Sequence, residues 1–164
     1  MGTNNYEVLY CNTCSCDKTY LLCDETAVVK DNWIADLGTI GSVFRLDFEM
    51  KMTATKSNWN TVLKVADHNN NAAHCNDRYP AFFSVSNQWK VRWYMCVNNV
   101  KNKFADIPVP ENEWIRIISE NVQVGNDYYM VVQAGDTTIY NELNNNIARV
   151  HTTNRRFLFS PKRL

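Results

Sequence analysis

A chain of 164 residues with 45% apolar residues is long enough to bury a core as one domain of ordinary size. Its 17 basic and 17 acidic side chains cancel to a formal net charge of zero, which argues against a nucleic-acid partner and against electrostatic attachment to an anionic membrane. No apolar run reaches the roughly 18 residues of a spanning helix, so no membrane span is expected.

In chain order, the opening MGTNNYEV has neither the basic nor the apolar region of a signal peptide. An extracellular reading therefore expects Met1-Gly2 to open a processed chain. Six cysteines follow, at Cys11, Cys14, Cys16, Cys23, Cys75 and Cys96. An even number, with four crowded together, predicts disulfides and an oxidising, extracellular compartment. Zinc competes for Cys11-x2-Cys14-x-Cys16-x6-Cys23, but structural zinc sites favour two separated C-x2-C knuckles, and Cys-x-Cys is a poor tetrahedral chelate. Cys14 and Cys16 are too close to bridge comfortably, which leaves 11–16 with 14–23, or 11–14 with 16–23. Residues 1–26 form a Cys-rich segment too short to fold alone except as a disulfide-stapled knot, ahead of a domain at 27–164. There is no N-x-[ST] sequon; Asn12-Thr13-Cys14 is the rare cysteine variant.

AVVKDNWIADLG, residues 27 to 38, fits a short helical turn or an extended segment equally well. From there the pattern is strand after strand. In GSVFRLDFEMKMTA, Val43, Arg45, Asp47, Glu49 and Lys51 alternate with Phe44, Leu46, Phe48, Met50 and Met52, which marks a half-buried strand. Further strands are predicted at 59–67, 81–86, 89–97, 113–123, 128–135, 137–143 and 155–160. Asn87-Gln88 and Ala134-Gly135-Asp136 read as hairpin turns. No segment holds a helical period beyond about two turns. Many short strands in one domain predict an all-β, antiparallel sandwich or barrel.

The loop before strand 81–86, ADHNNNAAHCNDRYP, concentrates oxygen donors. Asp67, Asn69, Asn70, Asn71, Asn76 and Asp77 could offer calcium its oxygens, although two carboxylates ten residues apart predict weak affinity. His68 and His74 lack a third ligand for a transition metal. The competing reading is a polar loop, because Asn tolerates the left-handed conformation and bonds its own backbone. No cofactor is required; calcium is the one candidate. If 81–86 and 89–97 pair about Asn87-Gln88, Cys96 falls opposite Tyr79, so a Cys75–Cys96 bridge would staple the loop to the sheet. Arg78 would then cap the strand start or pair with Asp77 or Asp106.

FRLDFEMK, NWNTVLKVAD, DRYPAFFSV, WKVRWYM, IPVPENEWIRIIS, YYMVVQAGDTTIYNE and FLFSP, in that order, resemble the concanavalin A-like lectin/glucanase superfamily. This is the jelly roll of laminin-G modules, pentraxins and legume lectins, and the likeness is to extracellular invertebrate versions. Arg78-Tyr79-Pro80-Ala81 and Pro110-Glu111-Asn112-Glu113-Trp114 carry it, over roughly residues 40 to 161. The resemblance implies a two-sheet jelly-roll sandwich with sheets about 10 Å apart. Its members bind glycans, bind proteins or cleave polysaccharides, so the fold alone does not choose. The glucanases carry Glu-x-Asp-x-x-Glu, nucleophile first and acid/base last. Here Arg45-Leu46-Asp47-Phe48-Glu49-Met50 replaces both glutamates. Asp47 and Glu49 share a face and are the remaining carboxylate pair, but a solvated face with cross-strand ion pairs is the simpler reading. No H-E-x-x-H or G-x-S-x-G occurs. The expectation is therefore not an enzyme.

Most aromatics read as core: Trp114, Phe44, Phe48, Phe82, Tyr129 and Phe157 or Phe159 fall on strands, and Trp89, Val91 and Trp93 share one strand face. Trp59, at a loop–strand junction, is expected to be exposed. Placed beside the 67–77 loop, it would form a rim site with Asp67, Asn69, Asn71, Asp77 and Arg78. The leading expectation is a secreted recognition or adhesion module binding a glycan or an extracellular protein there. A disulfide-linked matrix component and a divergent polysaccharide hydrolase using Asp47 and Glu49 are the alternatives. Oligomeric state is not readable.

Overall fold

The structure is a computed structural model describing residues 40–66, 75 and 78–146 in full, and residues 6–9, 26–27, 32–36 and 156–159 as backbone strands. It is an all-β, antiparallel two-sheet jelly-roll sandwich. The strands are β1 (Tyr6–Leu9), β2 (Thr26–Ala27), β3 (Asn32–Asp36), β4 (Phe44–Met52), β5 (Asn60–Ala66) and β6 (Ala81–Ser84). After them come β7 (Lys90–Val97), β8 (Val100–Pro108), β9 (Trp114–Val124), β10 (Asp127–Ala134), β11 (Thr137–Leu143) and β12 (Arg156–Phe159). Sheet A has the order β11-β10-β9-β4-β1-β2 and sheet B the order β3-β12-β5-β6-β7-β8. Among the described residues, no helix is long and apolar enough to cross a membrane.

Part of the N-terminal segment joins the sandwich. β1 pairs with β4 from Leu9↔Glu49 to Tyr6↔Met52, and β2 pairs with β1. The division expected between residues 26 and 27 falls within β2, a strand of the sandwich's sheet A. The 27–38 segment, open between helical turn and extended chain, contains a strand at Asn32–Asp36. Cys11, Cys14, Cys16 and Cys23 lie outside the described residues, as do their pairing and the assembly it would support.

The core lies between the sheets. Sheet A contributes Phe48, Met50, Met52, Ile117, Met130 and Val132; sheet B contributes Leu63, Val65, Phe82, Val91, Trp93, Met95 and Ile107. Phe48 meets Phe82 edge-on across the gap at 5.1 Å. Burying each large side chain is worth about 1.5–3 kcal/mol. The Trp93 indole also donates to Ser119 Oγ at 3.0 Å, so this buried N–H is satisfied from the opposite sheet. Beside it, Lys103 of β8 pairs with Glu142 of β11 at 2.8 Å, and the Tyr140 hydroxyl donates to the same carboxylate. One side of the sandwich is thereby clasped.

Strand β5 carries a bulge between Thr61 and Leu63, which turns both Val62 and Leu63 into the core. Two expected core residues face outward. Trp114 pairs with Lys51 and is 40% exposed, because Ile115 and Ile117 hold the inward face of β9. Tyr129 shares the outer face of β10, since Met130 and Val132 point inward. β8 was not among the expected strands. It is the edge of sheet B, mostly exposed, with only Ile107 fully buried. Asn102 within it has φ +58°, breaking the alternation that marks a strand in sequence.

Candidate functional site

Asp67, Asn69, Asn71 and Asp77, together with Asn70, Asn76, His68 and His74, lie outside the described residues, and with them the calcium expectation. Trp59 and Arg78 are described. Trp59 precedes β5, whose seven residues span about 23 Å to Ala66. Both ends of the loop sit at the far end of β5: the Val65 carbonyl accepts from Tyr79 N, and Pro80 accepts from Val65 N. Trp59 instead lies near Asn60↔Ser84, where Lys56 also accepts from Asn87 N. The expected rim of Trp59 with Asp67, Asn69, Asn71 and Asp77 thus involves a loop outside the described residues, while Trp59 itself lies at the opposite end of β5 from Ala66.

What unites Trp59 and Arg78 is the outer face of sheet B. In the β6–β7–β8 register, Phe83 opposes Arg92 and Arg92 opposes Asp106; Ala81 opposes Tyr94 and Tyr94 opposes Phe104. Strand alternation then sends Phe82, Trp93 and Ala105 inward and leaves Phe83, Arg92, Tyr94, Phe104 and Asp106 outside. The Arg92 guanidinium lies 4.4 Å from the Phe104 ring and 5.2 Å from the Trp59 ring. The Arg78 guanidinium lies 4.7 Å from Tyr94 and 5.3 Å from Phe83. Tyr94 touches Phe83 and Phe104 with centroids 5.7 and 6.0 Å apart. The result is a continuous row, Trp59–Arg92–Phe104–Tyr94–Arg78, in which two guanidiniums are interleaved with three rings. Each such contact is worth about 0.5–1 kcal/mol at an exposed site. Phe104 is 53% exposed and Trp59 38% exposed.

The two arginines differ electrostatically. Arg92 is bound bidentately to Asp106, Nε to Oδ1 at 2.5 Å and Nη2 to Oδ2 at 2.9 Å. That pairing raises the Arg92 pKa further and holds the Asp106 carboxyl below its ordinary value. Arg78 was expected to cap a strand or pair with Asp77 or Asp106. Asp106 belongs to Arg92, and Arg78 Nη1 donates to the neutral Asn102 Oδ1 at 2.8 Å. The left-handed Asn102 therefore has a visible consequence at this site.

Cys75 and Cys96 are disulfide-bonded, with Cα atoms 5.0 Å apart. The Ala81↔Tyr94 register, continued two residues, sets Cys96 against Tyr79. The bridge thus fixes the chain three residues before Arg78. Contiguous exposed aromatic surface interleaved with polar groups marks an interaction site more often than a structural one.

Asp47 and Glu49 do lie on the outer face of sheet A, but Asp47 is committed. Its side chain is 2% exposed and accepts from Arg116 Nε at 2.8 Å, Arg116 Nη2 at 2.7 Å and Arg45 Nη2 at 3.0 Å. Arg45 also donates to Glu120 at 3.1 Å. Burial pushes the Asp47 pKa up, yet the hydrogen bonds and charges of Arg116 and Arg45 outweigh it and hold the carboxyl below its ordinary value. A general acid needs the opposite shift, and a nucleophile needs access. The cross-strand ion pairs expected on this face are present, Arg116–Asp47 and Arg45–Glu120, with the arginines partly exposed and Asp47 covered beneath them.

No family model matches the chain, and no curated protein matches it. Among solved structures it is similar to the native heptameric SAP-like pentraxin from Limulus polyphemus. The identity is 11% and the TM-score 0.49, over 97% of this chain and 65% of that one. The chain thus spans about 65% of that chain's length. A likeness at this level assigns neither family nor activity.

Proposed function

We propose that the protein is a non-catalytic extracellular recognition module that engages a glycan or a protein partner through the outer face of sheet B. One observation carries this reading: the row Trp59–Arg92–Phe104–Tyr94–Arg78, which leaves large rings exposed between positioned guanidiniums. Trp, Tyr and Arg are the residues that dominate binding energy at recognition surfaces. The extracellular setting is supported by the Cys75–Cys96 disulfide, a bond that persists in oxidising compartments. Asp67, Asn69, Asn71 and Asp77 precede Arg78 in the chain, and their oxygen-rich side chains are the further ligand contacts this reading proposes.

Retention on a glycan array and on candidate extracellular proteins tests the proposal. Trp59→Ala should weaken retention about tenfold, the loss of the aromatic anchor at one end of the row. Asp67→Ala should weaken it less. Unchanged retention in both variants counts against this surface.

A further inference from the structure

The two guanidiniums of the row have different tasks. Arg92 is neutralised in place by Asp106 and serves as a rigid plate between Phe104 and Trp59. Arg78 is held by rings and a neutral amide, and among the described residues no carboxylate pairs with it. A guanidinium has five N–H donors in a planar fork, and Asn102 accepts from one of its nitrogens. The remaining donors match the paired oxygens of a carboxylate or a sulfate. The surroundings reinforce this. The outer-face positions of β7 carry Lys90 and Arg92, and with Arg78 they outnumber Asp106, although the whole chain has zero formal charge. Positive charge is thus gathered on the face that also exposes the rings.

Resting on the recognition reading above, we infer that the ligand of this face is an acidic sugar chain. Its carboxylate or sulfate sits on Arg78, and its ring faces lie on Tyr94, Phe104 and Trp59. Rings and Arg are enriched at protein interfaces too, so the ring composition alone does not choose; the placement of the charges favours the sugar. Here every exposed ring has a cation against it. A ligand that itself alternates flat, C–H-rich rings with anionic groups matches that spacing chemically. The anion is taken by a guanidinium, so binding needs no metal ion.

The test uses the full chain and three probes: hyaluronan oligosaccharides, which carry carboxylates only, chondroitin sulfate oligosaccharides, which add sulfates, and neutral dextran. Titration in the presence of EDTA should give binding to one or both acidic chains at least about tenfold tighter than to dextran, weakening as salt is raised. Which acidic chain binds tells carboxylate from sulfate. Arg78→Gln should lower acidic-chain affinity about tenfold, the scale of a lost charge-assisted contact. Arg78→Lys, which keeps charge but not the planar fork, should fall between. Lys51→Gln, on the outer face of sheet A, should change nothing. Melting curves establish that each variant folds, and Arg78→Lys carries the test if Arg78→Gln does not.

Equal affinity for dextran, indifference to both Arg78 variants, or loss of binding in EDTA overturns the inference while leaving the recognition surface standing. Arg78-dependent binding of poly-glutamate with no sugar bound moves the anion to a protein partner and overturns the sugar assignment alone. If Trp59→Ala also leaves every interaction intact, the recognition reading itself falls.

Discussion

At the scale of single residues, charge placement decides more than composition suggests. Asp47, Asp106 and Glu142 each have an arginine or lysine partner, and each carboxyl is held below its ordinary value when folded. For Asp106 the first cause is Arg92, and for Glu142 it is Lys103; for Asp47, burial opposes the shift and the two arginines win. A depressed carboxyl stabilises the fold fully above its unfolded pKa, about 4, and that stability is lost as pH falls through the lower folded value. The melting temperature should therefore hold at neutral pH and drop below about pH 4. Asp47→Asn should cost about 2 kcal/mol at pH 7, because it leaves Arg45 and Arg116 facing a neutral amide. The same variant should flatten the acid limb of a pH–stability curve. An unchanged limb would mean that other carboxylates dominate acid unfolding.

At the scale of elements, β4 through β7 were legible because period-two alternation and turn chemistry agreed. The Asn87-Gln88 turn alone determines the β6–β7 register, and with it the contact of Cys96 with the loop exit. Alternation separates two faces without saying which is inside, and Trp114 and Tyr129 show the cost of reading every strand aromatic as core. Their neighbours Ile115 and Met130 were the better guide. β8 escaped notice because an edge strand buries little and Asn102 interrupts its period. With β8 unseen, Phe104 and Asp106 had no place in the sheet, so the cation–ring row could not be assembled. The signal available was the hairpin register, which already sets Phe83 opposite Arg92. The cation–ring row is gathered by sheet register, which proximity along the sequence does not show. Replacing Cys75 and Cys96 together by serine tests the element that joins loop to sheet. It should cost about 2–4 kcal/mol and lower the melting temperature by roughly 5–10 °C. Acidic-sugar affinity should fall as well, because the bridge holds the approach to Arg78.

At the scale of the whole molecule, the two sheets are held by an apolar core, a Trp93–Ser119 tie and the Lys103–Glu142 clasp. The 67–77 segment is bracketed by β5 on one side and by the bridged Cys75 on the other. Lengthening it by three glycine–serine residues between Asn70 and Asn71 should cost under about 0.5 kcal/mol, since closure entropy rises only slowly with length. A urea midpoint displaced far beyond that would show the segment to be part of the core's cooperative unit. A midpoint that holds would make the bridge a firewall, confining the consequences of change in the loop to the loop. Mutation could then diversify this stretch while the scaffold and the cation–ring row stay put, and the staple would be a source of evolvability as well as of stability.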